Sequence, residues 1–224
     1  MIVMRGFGRG TVGGIFRTAM GSRTYSVSED FRPQIEGFQF QTEPDYSIED
    51  GVMPLFSPEA FQLHHSHHLE IVRKLNKCLG GLPYEEQELK SMKQLHKLSL
   101  RRLVERLADD RAMAYHFNLA AEAWNHDFFW DCISPYGSNT SPGPLFMRAA
   151  HEDFGGMERL INKFEKVALS MMGSGWVWLV DDGSGVRVIG MRNADTPIAF
   201  GPSTTPLLAL DMWEHSFYHD YPAE

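Results

Sequence analysis

Cysteine is scarce in this chain of 224 residues, with only Cys78 and Cys132. They follow no metal-ligand spacing and cannot staple a protein of this size, so they read as reduced, buried thiols. Long apolar runs are missing too. None approaches the roughly 18 residues that a helix needs to cross a bilayer, which excludes a helical membrane span. Acidic side chains are absent from the first 28 residues, although the whole chain carries a formal net charge of −8. That acidic balance excludes general binding of phosphate backbones and leaves room only for local contact with nucleic acid.

What the acid-free start does contain is Arg5, Arg9, Arg17 and Arg23 among Gly, Ser and Thr, with Phe7, Val12, Ile15, Phe16 and Met20 between them. This is a transit-peptide composition. Residues 1-25 are expected to be a mitochondrial transit peptide, cut between Tyr25 and Ser26 and addressed to the mitochondrial matrix; the alternative is a flexible basic tail. Cleavage would remove four arginines and take the net charge from −8 to −12. Residues 26-56 carry Pro33, Pro44 and Pro54 without a sustained helical period and are expected to form an extended arm.

The remainder is 43% hydrophobic in the whole-chain average, enough to bury a core. Ser57-Pro58-Glu59 opens a helix, with Ser57 as N-cap and Pro58 at the first helical position. Its pattern runs through Leu63, Leu69, Val72 and Leu75 to Gly80-Gly81. Pro83 begins a second long helix with Leu89, Met92, Leu95, Leu103 and Leu107 inward, and the two helices form a hairpin within a domain over residues 57-135. Lys90, Lys93, Lys97 and Arg101 line one face of the second helix, either as a solvated face or as a local strip for RNA or an acidic protein. Met113 to Phe129 is a third helix. A Gly/Ser/Asn/Pro-rich break at 136–144 starts a second domain, residues 136-224. In it are expected a helix from Gly156 to Met172, a hairpin of Trp176–Val180 with Val186–Gly190, and a buried strand from Pro206 to Trp213.

Chemistry concentrates at four residues. His64 lies on the first helix, His126 on the third, and Asp211 with His215 at the end of the last strand. Three imidazoles and one carboxylate suit iron or manganese and leave a position open for a small ligand. Spacing alone leaves a metal site and a set of unrelated histidines as equal readings. His96, His116, His151 and His219 read as structural or surface residues.

Four segments sharpen the choice. Leu63-His64-His65-Ser66, Ala120-Ala121-Glu122-Ala123-Trp124-Asn125-His126-Asp127, Gly173-Ser174-Gly175-Trp176-Val177-Trp178 and Asp211-Met212-Trp213-Glu214-His215 resemble, in this order, the iron/manganese superoxide dismutase family. The resemblance covers roughly residues 56 to 221. It implies an α+β fold: an N-terminal helical hairpin, followed by an α/β domain with a three-stranded antiparallel sheet, usually paired into dimers. It implies that His64, His126, Asp211 and His215 are metal ligands, with His68, Trp124, Trp176, Trp213, Glu214 and Tyr218 around the site or at the dimer interface. The implied activity is the disproportionation of superoxide to oxygen and hydrogen peroxide.

Departures from the family pattern cluster around the same site. The family's gate and proton-donor Tyr falls at Ile71 or Val72, neither of which can donate. Glu122 stands where iron-type members place a solvent-orienting Gln; an ionised Glu there could not donate, and its charge would favour the trivalent metal. Met172 stands where manganese-type members place their Gln. The chain stops nine residues after His215, where members continue into a further segment, so the second domain is expected to be truncated at its end. Together with the leader, the arm and the basic strip, these departures resemble the superoxide-dismutase-like subunits of the mitochondrial small ribosomal subunit, which pair with a homologous subunit. The sequence reading is therefore a structural subunit among mitochondrial ribosomal proteins, with a retained or vestigial metal site. An active mitochondrial iron superoxide dismutase and an accessory subunit of a respiratory complex are the alternatives.

Overall fold

The computed structural model describes residues 47–80, 95, 98–133, 141–201 and 203–221. The leader, residues 26–46 of the arm, and Lys90, Lys93 and Lys97 lie outside the described residues.

Helix α1, Pro58–Gly80, starts as its sequence dictates. Ser57 Oγ accepts the amide N–H of Ala60 at 3.1 Å, and Pro58 occupies the first turn, where its missing N–H costs nothing. The long helix foreseen from Pro83 to Leu107 does not continue through residue 99: α2 spans Leu100–Leu107, with Ser99 extended and its side chain accepting the N–H of Arg102. A serine that can bond the amide three residues on starts a helix more readily than it sits inside one. Arg101 and Arg102 both pair with Glu105 at 3.0 Å, so the described end of the basic strip is already partnered by acid.

Helix α3, Ala114–Cys132, is longer than the sequence suggested, and most of its second half is buried. This half lies inside the protein and carries Asn125 and His126 into the core with its apolar residues. Helix α4, Pro144–Phe154, was not foreseen; its N-terminal Gly-Pro resembles the loop before it. It ends at Gly155, whose φ of 78° supplies the left-handed C-cap that favours glycine. Helix α5 covers Met157–Ser170.

The sheet contains β1 (Gly175–Asp181), β2 (Val186–Arg192) and β3 (Thr205–Asp211), antiparallel in the order β2-β1-β3. As the middle strand, β1 is buried over every residue but Asp181, which explains its unbroken Trp-Val-Trp-Leu-Val run. A Cβ on Gly175 would collide with the carbonyl of Met191, so only glycine opens this strand. The β1–β3 register shifts between Leu179 and Val180, opposite Pro206. Proline has no N–H for the ladder and is tolerated on an edge strand or at a bulge. Trp178 stacks on Trp124 of α3 with ring centroids 5.9 Å apart, and Trp176, Phe129, Leu75 and Leu103 fill the centre. Each such side chain contributes about 1.5–3 kcal/mol by leaving water. Helix α3 packs on β3, and α1 packs on α3 and on the turn that follows β3. No helix among the described residues is long and apolar enough to cross a membrane.

Candidate metal centre

The four residues singled out by the sequence converge. One donor atom from each of His64, His126, Asp211 and His215 lies within 4.8 Å of all the others. His64 Nε2 stands 3.0 Å from Asp211 Oδ2, and His215 Nε2 stands 3.1 Å from the same oxygen. His126 Nε2 is 3.3 Å from His215 Nε2 and 3.6 Å from Asp211 Oδ2. Atoms bound at about 2.0–2.2 Å to one first-row ion sit about 3 to 4 Å from each other, so the cluster has the size such an ion requires. Two imidazole nitrogens 3.3 Å apart gain little from each other and become favourable neighbours when they share a cation. The residues fit iron or manganese.

Each donor arrives by a different route. His64 and His126 project from α1 and α3, Asp211 ends β3, and His215 sits in a short 3-10 turn, Glu214–Ser216. Asp211 Oδ1 accepts the N–H of Trp213 at 2.8 Å, which aims Oδ2 into the cluster. His126 Nδ1 lies 2.8 Å from the carbonyl oxygen of Glu122. A carbonyl only accepts, so Nδ1 carries the proton and the Nε2 lone pair faces the centre.

His68 is not a donor to the cluster. Its Nε2 donates to the carbonyl of Ala123 at 3.1 Å, and its Nδ1 accepts the indole N–H of Trp130 at 2.9 Å. The ring instead stacks on His126. Trp176 meets His126 edge-on at 5.1 Å, and Trp213 stacks on His215 at 5.7 Å. Trp124 packs with Phe128 and Trp178 between α3 and the sheet. Glu214 and Tyr218 are exposed.

Two residues were undervalued by the sequence reading. His67 stacks on His215 with centroids 4.1 Å apart, and the indole of Trp130 lies 4.7 Å from the His64 ring. Helical steps of three and four residues from His64 and His126 place both beside the ligands, and that spacing was the available signal.

Electrostatics prepare the pocket for a cation. Burial lowers the pKa of His64 and lowers that of His126 well below the usual imidazole value, so both are neutral. Burial also brings His68 down to about 3 and His67 to about 4. For Asp211, burial acts upward, but bonds with His215 and His64 outweigh it and hold the carboxyl below its usual range.

Glu122 departs from expectation. Its carboxyl is buried, and neither oxygen has a well-formed hydrogen bond among the described residues. Burial, reinforced by the Asp211 carboxylate, pushes it well above the usual range, while the Trp176 and Trp213 indoles pull weakly the other way. Its surroundings therefore oppose ionisation, and a protonated Glu122 could donate the hydrogen bond that an ionised one could not. Ile71 and Val72 lie in the core. Met172 is 86% exposed, so it supplies nothing to the centre.

Residues 42–134 match the family model described as iron/manganese superoxide dismutases, alpha-hairpin domain, and residues 143–224 match that for the C-terminal domain. An iron superoxide dismutase of Synechococcus elongatus is 36% identical over 172 residues, covering 76% of this chain and 79% of that protein. A manganese/iron superoxide dismutase of Rickettsia conorii is 37% identical over 180 residues, covering 80% of this chain and 79% of its own length. With a helical hairpin, a three-stranded antiparallel sheet and a His/His/Asp/His cluster joined by these matches, the chain belongs to the iron/manganese superoxide dismutase family.

Proposed function

We propose that this chain dismutates superoxide at an iron or manganese centre held by His64, His126, Asp211 and His215, more slowly than other members of its family. The observation that carries this reading is the convergence of four donors from four separate elements at the spacing of one ion's ligands. A bound iron or manganese ion would supply the one-electron change that disproportionation requires.

The chain's own groups do the rest. Asp211 supplies the negative charge that balances a cation in a buried site, and Phe129, Trp130 and Trp176 wall the pocket with aromatic rings. Forming hydrogen peroxide consumes two protons. Glu122 is the buried acid placed to hold one, whereas Ile71 and Val72 contribute aliphatic surface where a phenol would serve. Losing such an outer group typically costs about 10- to 100-fold, hence the reduced rate.

A second reading is favoured by that same pair of aliphatic residues together with the arginine-rich, acid-free first 28 residues. It is a subunit of a mitochondrial assembly, the small ribosomal subunit, in which the centre cross-links the two halves of the fold. There the chain pairs with a homologous subunit through the face carrying Glu214 and Tyr218.

Two measurements divide the readings. Protein loaded with iron or manganese should consume superoxide measurably, about 10- to 100-fold below an ordinary family member; turnover no greater than the free ion's removes the catalytic reading. Sedimentation of mitochondrial lysate should leave a free dismutase among small proteins, whereas comigration with a ribosome-sized particle supports the assembly role.

A further inference from the structure

Of the four clustered donors, His215 is held least by regular structure. His64 and His126 sit within long helices and Asp211 ends a strand, but His215 stands in a three-residue turn. Its side chain is 16% exposed, while those of His64, His126 and Asp211 are at 0%. Besides the rings of His64 and His67, which pack on that of His215, a second hold of this segment on α1 lies five residues further on.

Asp220 reaches back across 163 residues of sequence to the first turn of α1. Its Oδ2 accepts the N–H of Ser57 at 2.7 Å, and its Oδ1 accepts the Ser57 hydroxyl at 2.6 Å. Both are bonds to an ionisable carboxylate, a class roughly twice as strong as neutral ones. Ser57 in turn caps α1 through the N–H of Ala60. A negative group at a helix N-terminus is further favoured by the helix dipole. Between His215 and Asp220 the chain is stiffened by its own bonds: Phe217 and Tyr218 donate to the carbonyl of Glu214, and Tyr221 donates to that of Phe217. A displacement of Asp220 therefore reaches His215 rather than dissipating in slack chain.

We propose that Asp220 is a positioning residue, a latch onto Ser57 that holds the His215 turn against the helix carrying His64 and so retains the metal. The proposal rests on the reading that His64, His126, Asp211 and His215 hold iron or manganese, but not on superoxide turnover. Two parts of the sequence that contribute no ligand thereby control how long the ligand set stays closed.

The test is the rate at which iron leaves the full-length, iron-loaded protein when a strong ferrous chelator is added after reduction, followed by the colour of the chelate. Asp220→Ala should release iron about 10-fold faster or more, in the range seen when an outer partner of a metal ligand is removed. Ser57→Ala, which keeps the backbone bond, should fall between. Glu59→Ala, which removes a first-turn charge and the looser 3.5 Å contact of His219 with Glu59 but leaves both bonds to Ser57, should match the parent protein. Asp220→Glu should restore slow release in part, and the ferric electron paramagnetic resonance signal should broaden in the alanine variant alone. Should Asp220→Ala fold poorly, Asp220→Asn, which keeps an acceptor but loses the charge, serves in its place with a smaller acceleration. Parental release rates and an unaltered ferric signal in Asp220→Ala and Asp220→Asn overturn the latch, as does faster release that vanishes when the proteins are compared at equal distance below their melting temperatures. Fast release from Asp220→Ala in a protein with no superoxide turnover leaves the latch standing and removes the catalytic reading alone. A parent protein that binds neither iron nor manganese overturns both.

Discussion

The imidazole of His68 lies on that of His126, centroids 5.0 Å apart and planes within 11° of parallel. His126 therefore has two supports: the Glu122 carbonyl fixes its protonated nitrogen, and the His68 ring fixes its plane. His68 is held in turn by the indole of Trp130 and the carbonyl of Ala123. Removing a member of this chain should disturb the metal centre without touching a ligand.

Trp130→Phe tests this directly. It keeps an aromatic ring against Phe61 and His64 but strips the N–H that His68 Nδ1 accepts. A buried acceptor left without its donor costs about 1–3 kcal/mol, which urea unfolding of the metal-free protein should register. Metal affinity should fall about 10-fold, the lower end for an outer partner, measured by competition with a chelator. Unchanged affinity would mean that the stack on His126 contributes packing only.

Glu122→Gln should alter the pH profile of the metal-free protein. In the folded chain burial pushes the carboxyl well above its usual value of 4.5, while the unfolded chain releases its proton near that value. The folded state then binds more protons, and stability falls as pH rises from about 4.5 toward the folded pKa. Glutamine removes that loss. The variant should be more stable than the parent at pH 7 and no more stable near pH 4, by denaturant titration at each pH; parallel curves would contradict a neutral, buried Glu122.

Ile71→Tyr asks whether a missing proton donor limits turnover. Ile71 lies two helical turns beyond His64 on α1, hence on nearly the same face, and is 8% exposed. Overpacking should cost about 1–3 kcal/mol. If the phenol reaches the pocket, superoxide consumption by the loaded variant, followed after pulse radiolysis, should rise several-fold. A folded, loaded variant with parental turnover would place the limitation elsewhere.

The ligand set was legible because each donor sits in a distinctive local word and because Asp211 and His215 follow a strand whose apolar run is plain. The hairpin was equally readable, since Gly183-Ser184-Gly185 parts two β-branched and aromatic stretches. Harder to see was anything decided by direction in space. In the run His64-His65-Ser66-His67-His68 only steps of 100° along the helix decide that one imidazole faces the centre, a second stacks on His215 and a third is held by Trp130. The resistance of Glu122 to ionisation comes from its burial, which sequence does not reveal. Helix α4 escaped notice because Pro144 reads as loop until Gly143 is seen to be the cap of a helix. The bond from Asp220 to Ser57 joins residues too distant for any local pattern to pair.

His68→Gln should weaken the acid sensitivity of the metal-free fold. Burial brings the His68 pKa from its usual 6.5 to about 3, with His65 adding to the effect and the Ala123 carbonyl opposing it. The folded chain thus keeps His68 neutral, while the unfolded chain takes up a proton as pH falls through 6.5. The contribution to stability is complete above 6.5 and is lost as pH falls toward 3, opposite in sign to that of Glu122. One proton of difference is worth about 1.4 kcal/mol per pH unit. A glutamine retains donor and acceptor atoms but does not titrate, so between pH 6 and pH 4 the variant's stability should decline less steeply, by up to that amount per unit. His64 and His126, also lowered by burial, keep a steep residual slope. Parent and variant curves of equal slope would show that His68 is solvated or protonated in the folded state, and would remove the stack on His126 as a fixed support of the metal centre.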